Sequence, residues 1–303
     1  ASSGFSTSLQ NIGSVENRGL ELSLNAAIIR NNNFSWVLDG NVTFNRNEVL
    51  DLGDDTELTF PTRTGRVNDA QTVILRPGEP IGSFFGYVFD GIWQSQEEID
   101  ASEVNYGNPR VGSVRLADTN NDGQLNADDK TIIGNAVPDF LYGINNNFTF
   151  GNFDLSIFLQ GSQGNEIMNF NNGELIYMGL GGRENKQVEV LNTFLPGREG
   201  NSTTQVPQVG TGQNGPLDTR FIEDGSYLRI RNVLIGYNLP LQNVSWISSL
   251  RVYASAQNLY TFTNYSGFDP EVNVGGQNNV IRGVDFVGLP NVRSYTLGLN
   301  VRF

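Results

Sequence analysis

Alternation of apolar and polar residues is the dominant pattern along the chain. In the run RGLELSLNAAI, Leu20, Leu22 and Leu24 share one face, whereas Glu21 and Ser23 share the other. A period of two residues is typical of β-strands that bury one face. Similar runs predict strands at 34–44, 140–150, 153–162, 226–240, 249–262 and 294–303, with weaker candidates at 69–76 and 80–93.

The alternation changes phase inside 226–240. Leu228 and Ile230 fall on one face, whereas Val233 and Ile235 fall on the other. One extra residue in a strand restores a common face, so this phase change predicts a β-bulge near Asn232.

The connections between these strands alternate in length. Short connections at 30–33, 77–80, 151–152 and 239–245 alternate with long polar segments at 49–68, 94–137, 163–221 and 263–291. An up-and-down membrane barrel has short turns at one end and long loops at the other. The pattern therefore favours a transmembrane β-barrel over a soluble sandwich.

Aromatic residues and polar faces support the barrel. Tyr260, Phe262 and Tyr265 lie beside a long loop, and a larger set lies beside short turns: Phe34, Trp36, Phe148, Phe150, Phe153, Tyr237 and Trp246. Barrels carry aromatic girdles at both membrane surfaces, although a sandwich core remains the alternative. Nine strands cannot enclose a polar lumen, and large transporter barrels have about 22 strands. The sequence thus predicts part of a larger barrel.

Composition excludes several kinds of site. The 303 residues carry a net charge of −13, which argues against a nucleic-acid partner. The chain has no cysteine and no histidine, so it cannot supply Cys/His zinc sites, thiol nucleophiles or Ser-His-Asp triads. The sequence contains no run of about 18 apolar residues, so it predicts no membrane-spanning helix.

The run DTNNDGQLNADD (118–129) matches a calcium-binding loop. Such loops take oxygen ligands at positions 1, 3, 5, 7, 9 and 12 and glycine at position 6. Gly123 holds position 6, Leu125 is expected to anchor the loop, and the predicted ligands are Asp118, Asn120, Asp122, Gln124, Asn126 and Asp129.

One departure from the usual pattern qualifies the calcium prediction. Asp129 closes the loop where glutamate is usual, and its shorter side chain weakens bidentate closure. Asp-closed loops resemble those of dockerin-like extracellular modules. The alternatives are an Asx-rich turn without an ion and a Mg²⁺ site, which an all-protein oxygen cage disfavours.

The order and spacing of several stretches resemble those of the SusC/RagA-type TonB-dependent outer-membrane transporters. The stretches include NIGSVENRGLELSLNAAI, PGEPIGSFFGYVFDGIW, VRLADTNNDGQLNADDKTIIGNAVPDFLYGI, SYLRIRNVLIGYNLP, SLRVYASAQNLYTFTNYSGFDPEVN and GLPNVRSYTLGLNVRF. The resemblance implies that 1–303 is the C-terminal part, about nine strands, of a roughly 22-stranded barrel. It also implies that a signal peptide, an immunoglobulin-like extension, a TonB box and a plug domain precede Ala1.

The family also implies a function and partners. The expected function is import of an oligosaccharide or oligopeptide across the outer membrane, driven by TonB through the preceding part, with a SusD-like lipoprotein as lid. The long loops are then extracellular and the short turns periplasmic. Candidate contacts with substrate or lid are Trp93, Tyr106, Phe170 and Tyr177, which could equally pack loop against loop.

The last strand alternates to a terminal aromatic residue, through Tyr295, Leu297, Leu299, Val301 and Phe303. This pattern looks like the signal that the barrel-insertion machinery reads by strand addition, with an ordinary last strand as the alternative. Two other functions are alternatives to transport. A surface enzyme is disfavoured because the adjacent carboxylates, such as Glu97 and Glu98, lie in polar loops. A calcium-binding adhesion module explains neither the alternating loop lengths nor Phe303.

Overall fold

Strands dominate the computed structural model, which describes residues 13–62, 71–177, 185–210, 215–241, 246–276 and 278–303. The long strands are β1 (Ser14–Arg30), β2 (Phe34–Asp51), β9 (Phe140–Phe150), β10 (Phe153–Gln163), β13 (Tyr227–Asn238), β14 (Ser249–Thr263) and β16 (Ser294–Arg302). The short strands are β3 (Leu58–Phe60), β4 (Val73–Leu75), β5 (Ser83–Gly86), β6 (Phe89–Ile92), β7 (Val114–Leu116), β8 (Thr131–Gly134), β11 (Glu166–Asn169), β12 (Ile222–Asp224) and β15 (Val284–Asp285).

Helical structure is confined to short segments between these strands. They are α1 (Gln96–Asp100), α2 (Phe170–Asn172), a π-helical turn at Gly173–Tyr177, and 3₁₀ turns at Ala127–Asp129, Val188–Asn192, Asn201–Thr203 and Thr219–Phe221. None of the helices in the described ranges is long and apolar enough to cross a membrane.

The long strands form one sheet, which we call the wall. Within the described residues it has seven strands in the order β1-β2-β9-β10-β13-β14-β16. Each strand pairs with the next long strand along the chain, and every pair is antiparallel. The predicted all-β, antiparallel up-and-down architecture is confirmed.

The two weaker strand candidates were assigned wrongly to this sheet. Their described residues form β4, β5 and β6, which pair in small separate sheets, and residues 69 and 70 lie outside the described part. β4 and β5 are buried at every position, so they lack the alternation of a half-exposed wall strand. The wall described here therefore has seven strands rather than nine.

This correction changes the predicted connections. β2 pairs directly with β9, so the predicted loops 49–68 and 94–137 belong to a single excursion over 52–139. The predicted short turn at 77–80 lies within that excursion. Short and long connections still alternate. The short connections are 31–33, 151–152 and 239–248, of which 242–245 lie outside the described residues, and the long connections are 52–139, 164–226 and 264–293.

The predicted bulge is confirmed. The register of β13 shifts between Ile230 and Asn232 against both of its neighbours. Arg231 is the extra residue, and it returns Leu228 and Ile230 to the face that carries Val233.

The apolar face of the wall is exposed. Leu20, Leu24 and Leu297 are 55%, 59% and 85% exposed, and Leu22, Tyr295 and Leu299 are exposed as well. No second protein layer of the described chain covers these rows. A soluble sandwich would bury them, so their exposure excludes that alternative and agrees with contact to lipid.

The buried core lies in the long connections instead. We call 52–139, 164–226 and 264–293 together the loop layer. Its largest cluster takes residues from all three excursions: Val73, Phe84, Met168, Phe170, Leu217, Phe221 and Val284. Because the cluster joins all three, the loop layer is a packed body at one end of the wall.

Candidate functional site: the loop layer

The acidic loop 118–129 closes on itself through side chains that accept backbone hydrogen bonds. Asp118 Oδ2 accepts from the Gly123 amide at 2.9 Å, and Asp122 Oδ1 accepts from the Gln124 amide at 2.8 Å. Asn120 Oδ1 accepts from the Asp122 amide at 2.9 Å. Gly123 has φ +79°, a left-handed conformation that explains glycine at this position.

Asp129 fastens the end of the loop to its beginning. Its Oδ1 accepts from the Thr119 amide at 2.9 Å, and its Oδ2 accepts from the Asn126 amide at 2.8 Å. The Asn126 side chain in turn caps the turn that follows by accepting from the Asp128 amide at 2.7 Å. The described conformation thus brings positions 2, 9 and 12 of the predicted calcium loop together, whereas position 1 contacts position 6.

The donor chemistry of this loop fits a hard cation. Asp129 is 0% exposed, and it forms no ion pair with any described residue. Buried carboxylates are ordinarily paired or coordinate a metal. Each carboxylate oxygen that accepts one amide retains acceptor capacity. Among the described residues, however, no three acidic side chains alone are grouped as a metal site. Any ion here would also need the amide and carbonyl oxygens of the loop.

Trp93 and Tyr106, two of the predicted contact residues, meet beside this loop. Their rings are edge to face with centroids 5.1 Å apart, and the Arg115 guanidinium lies 5.2 Å from the Trp93 ring. Burial, with a smaller contribution from Asp90, raises the pKa of the Tyr106 hydroxyl, which donates to the Leu116 carbonyl at 2.8 Å.

The same two aromatic residues line a cavity of about 380 Å³ with Leu125, Pro109 and Pro216. Trp93 is 2% exposed, and its indole nitrogen has no hydrogen-bond partner. Leu125 thus lines the same cavity as the aromatic pair.

The other two predicted contact residues are placed differently. Phe170 is completely buried in the loop-layer core, where its ring lies 6.1 Å from that of Phe221. In this conformation the structure favours loop packing as its role. Tyr177 ends the π-helical turn, but its side chain lies outside the described residues.

A buried ionic network joins the loop layer to the inner, polar face of the wall. Arg229 of β13 is 2% exposed and contacts Asp269 and Glu271, each at 2.5 Å. Its Nε donates to Thr261 of β14 at 2.9 Å, and Tyr227 donates to Glu271 at 2.7 Å. DPEVN (269–273) lies within the predicted long segment 263–291, but the sequence does not identify Arg229 as its partner.

The charge state of Asp269 is set by competing effects. Burial alone would raise the pKa of this carboxyl group. The amides of Glu271 and Asn291, which donate to it at 2.9 Å each, and the Arg229 guanidinium outweigh burial, so its pKa lies below the ordinary value. Asp269 therefore stays ionised and keeps segment 269–291 on the wall.

The residues of the predicted assembly signal lie on the final strand, at the edge of the wall. Tyr295, Leu297, Leu299, Val301 and Phe303 are all exposed. β16 pairs only with β14 among the described strands, which leaves its other edge open. The Phe303 ring stacks on Trp246, with centroids 5.9 Å apart.

No family model matches the chain. A TonB-dependent receptor, P3 of Formosa agariphila, is 37% identical over 307 residues, which cover 99% of this chain and 30% of that protein. The TonB-dependent receptor SusC of Bacteroides thetaiotaomicron is 30% identical, over 97% of this chain and 27% of its own length. Over nearly its whole length, this chain is thus similar to one section of TonB-dependent receptors, SusC among them.

Comparison with solved structures agrees with this relationship. The match to the structure of the RagAB peptide transporter covers 99% of this chain and 31% of the transporter chain, with 27% sequence identity and a TM-score of 0.74. The predicted resemblance to the SusC/RagA type is thus confirmed. The chain spans only 27–31% of the lengths of these proteins.

Proposed function

We propose that this chain is part of an outer-membrane transporter that imports an oligosaccharide or oligopeptide with TonB and a SusD-like lipoprotein. The observation that carries the proposal is the whole-length relationship to TonB-dependent receptors, together with a wall whose apolar rows are exposed. All of these relatives are named as receptors or transporters, which favours transport over catalysis.

The loop layer belongs, in this proposal, to the extracellular mouth. The three long connections leave the same end of the wall and pack on one core, so they form a body that a lid could meet. The cavity beside Trp93 and Tyr106 opens within this body and is a candidate place for substrate or lid. The barrel-insertion machinery would recognise the last strand, and the lipid bilayer would surround the wall.

Uptake by living cells tests the proposal. The gene that encodes the full-length protein is deleted, and accumulation of labelled oligosaccharides and oligopeptides is measured before and after complementation. We expect deletion to abolish accumulation of one class, and collapse of the proton-motive force to do the same. Surface binding that persists without energy-dependent accumulation would instead favour the adhesion function.

We propose in addition that loop 118–129 binds Ca²⁺ as a structural ion. Support comes from the six oxygen donors in register, the left-handed Gly123, and the buried carboxyl group of Asp129, which has no basic partner among the described residues. Asp118, Asn120, Asp122, Gln124, Asn126 and Asp129 would hold the ion. An extracellular site of this kind binds at about 10⁻⁴–10⁻³ M.

Calorimetric titration of the purified full-length protein with Ca²⁺ tests this site. The wild type should release binding heat that the Asp118→Ala/Asp129→Ala variant lacks. The matched control is Asp54→Ala/Asp55→Ala, which removes two exposed acidic groups from another part of the loop layer and should bind normally. Equal heats from all three proteins would end the calcium proposal.

A further inference from the structure

Two arginines lie side by side on the outer face of the wall. Arg18 and Arg46 are direct cross-strand partners on β1 and β2. Leu20 and Phe44, the next pair on the same face, are 55% and 41% exposed and belong to the apolar surface. The arginine pair therefore adjoins the apolar surface, on the side where the loop layer begins.

Aromatic residues mark the depth of this arginine pair. The ring centroids of Phe44 and Phe140 are 5.5 Å apart, and those of Phe140 and Tyr142 are 5.9 Å apart. Aromatic side chains of membrane barrels gather at the membrane surfaces. The arginines lie one residue pair beyond this row, where the proposed membrane location would put lipid headgroups.

The two arginines differ in their protein partners. Arg18 Nε lies 2.7 Å from Glu16, and its Nη2 lies 3.3 Å from Glu48. Arg46 forms no hydrogen bond or ion pair through its side chain with any described residue. Like charges placed directly opposite in a sheet are destabilising. Glu16 and Glu48 already compensate the charge of Arg18, so an external anion would act mainly as a partner for Arg46.

A groove beside Arg46 provides the room for such an anion. Pairing of β2 with β9 ends at Thr43 and Leu141, whereas β2 continues to Asp51. The gap above β9 is an open groove of about 1140 Å³. Its lining includes the basic Arg18 and Arg46, the acidic Glu48 and Asp139, and the apolar Leu20, Phe44 and Phe140. Charged and apolar groups thus line one continuous surface.

We propose that Arg46, assisted by Arg18, binds the phosphate group of an anionic lipid in the outer leaflet, with the acyl chains along Leu20 and Phe44. A planar guanidinium forms bidentate hydrogen bonds with phosphate. The apolar row that continues from the arginines favours a lipid over a free phosphate ion. The inference rests on the proposed outer-membrane location of the wall.

Native mass spectrometry of the detergent-purified full-length protein tests the lipid site. The probe is lipid A, a phosphorylated glycolipid, compared with the same lipid after enzymatic removal of phosphate. Arg46→Gln should weaken binding of the phosphorylated lipid about five-fold, the factor expected for one basic side chain near anionic lipid. Arg46→Lys keeps the charge but cannot form the bidentate contact, so its binding should fall between that of the wild type and that of Arg46→Gln.

The control variant is Arg30→Gln, because Arg30 is an exposed arginine at the opposite end of β1. It should bind lipid A as the wild type does. Equal binding by wild type and Arg46→Gln, or an equal loss in Arg30→Gln, would overturn the proposal. Displacement of the lipid by millimolar inorganic phosphate would overturn the assignment to a lipid.

Two failures are distinguishable. A protein that is not recovered with the outer-membrane fraction contradicts the proposed location, and with it the transporter function. A protein that is recovered there and imports nutrient, but shows no Arg46-dependent lipid binding, contradicts the lipid site alone. Heat-modifiable migration in gel electrophoresis identifies any variant that has failed to fold.

Discussion

Leu297 in the wall is 85% exposed, whereas Phe84 in the loop layer is completely buried, although both are large apolar side chains. The wall directs such residues outward along whole strands, and the loop layer gathers them into a core. Different solvents explain the difference, since apolar groups avoid water but lose nothing against lipid tails. The same chain therefore exposes large apolar residues in the wall and buries them in the loop layer.

The largest effect is expected where the two regions are joined. Arg229→Leu leaves Asp269 without its guanidinium partner and leaves the half-buried Glu271 with only the longer ion-pair contact to Arg231, at 3.4 Å. Loss of one member of a buried ion pair costs about 3–5 kcal/mol. We expect the free energy of unfolding of the loop layer to fall by that amount, as measured by denaturant-dependent proteolysis of segment 264–293 in the full-length protein.

The control for this variant is Arg76→Leu, which breaks the more exposed pair with Glu57. Such a surface pair contributes about 0–1 kcal/mol. Combining Arg229→Leu with Asp269→Asn should recover part of the lost stability, because it removes an uncompensated charge. Equal losses from Arg229→Leu and Arg76→Leu would show that the network does not hold the loop layer on the wall.

The next effect separates the two faces of the wall. Leu297→Arg places a charge on the outward face of β16, at a cost of about 2–4 kcal/mol at mid-membrane depth. Thr296→Arg alters the adjacent residue, which points to the other face, and should be nearly neutral. Folding into lipid vesicles at varied urea concentration measures both, and equal costs for the two variants would contradict the assignment of faces.

Calcium should stabilise the loop layer and leave the wall unchanged. At a Ca²⁺ concentration of about ten times Kd, a single site contributes about 1.4 kcal/mol. We expect this gain in the proteolytic stability of segment 94–137, and we expect the Asp118→Ala/Asp129→Ala variant to lack it. A gain of equal size in that variant would assign the effect to other sites.

The smallest and most local effect is the loss of stability at acidic pH that protonation of Asp269 causes. Because the pKa of Asp269 is lowered in the folded protein, ionised Asp269 contributes stability that is fully present above the ordinary value of about 3.8. That contribution is lost as pH falls below 3.8 through the lowered pKa. Proteolysis of segment 264–293 by an acid-active protease should therefore accelerate only below pH 4, and Asp269→Asn should remove this pH dependence.

The sequence predicted the wall because its strands obey a simple rule. Each of the seven strands has one apolar face and one polar face, so apolar and polar residues alternate along its sequence. The bulge at Arg231 shifts this alternation by one residue, which is visible in the sequence as a phase change. The error at 69–93 has the opposite cause. Val73–Leu75 and Ser83–Gly86 are short and buried on both faces, so their apolar runs carry no alternation.

The candidate sites were predictable only where their residues are adjacent in sequence. The acidic loop is a continuous twelve-residue pattern, and its spacing is visible directly. Arg229 lies 40 residues from Asp269, and pairing between them depends on how the third excursion folds back onto the wall. Arg18 and Arg46 become neighbours only through the register of β1 on β2.

The lipid exposure of alternate wall residues is the claim on which the other conclusions depend. The chain contains no cysteine, so single substitutions such as Leu22→Cys and Ser23→Cys can be probed in outer membranes with a charged, water-soluble thiol reagent. The account predicts that Ser23→Cys and Thr296→Cys react, whereas Leu22→Cys and Leu297→Cys react only after detergent extraction. Rapid reaction of Leu22→Cys and Leu297→Cys in intact membranes would contradict it.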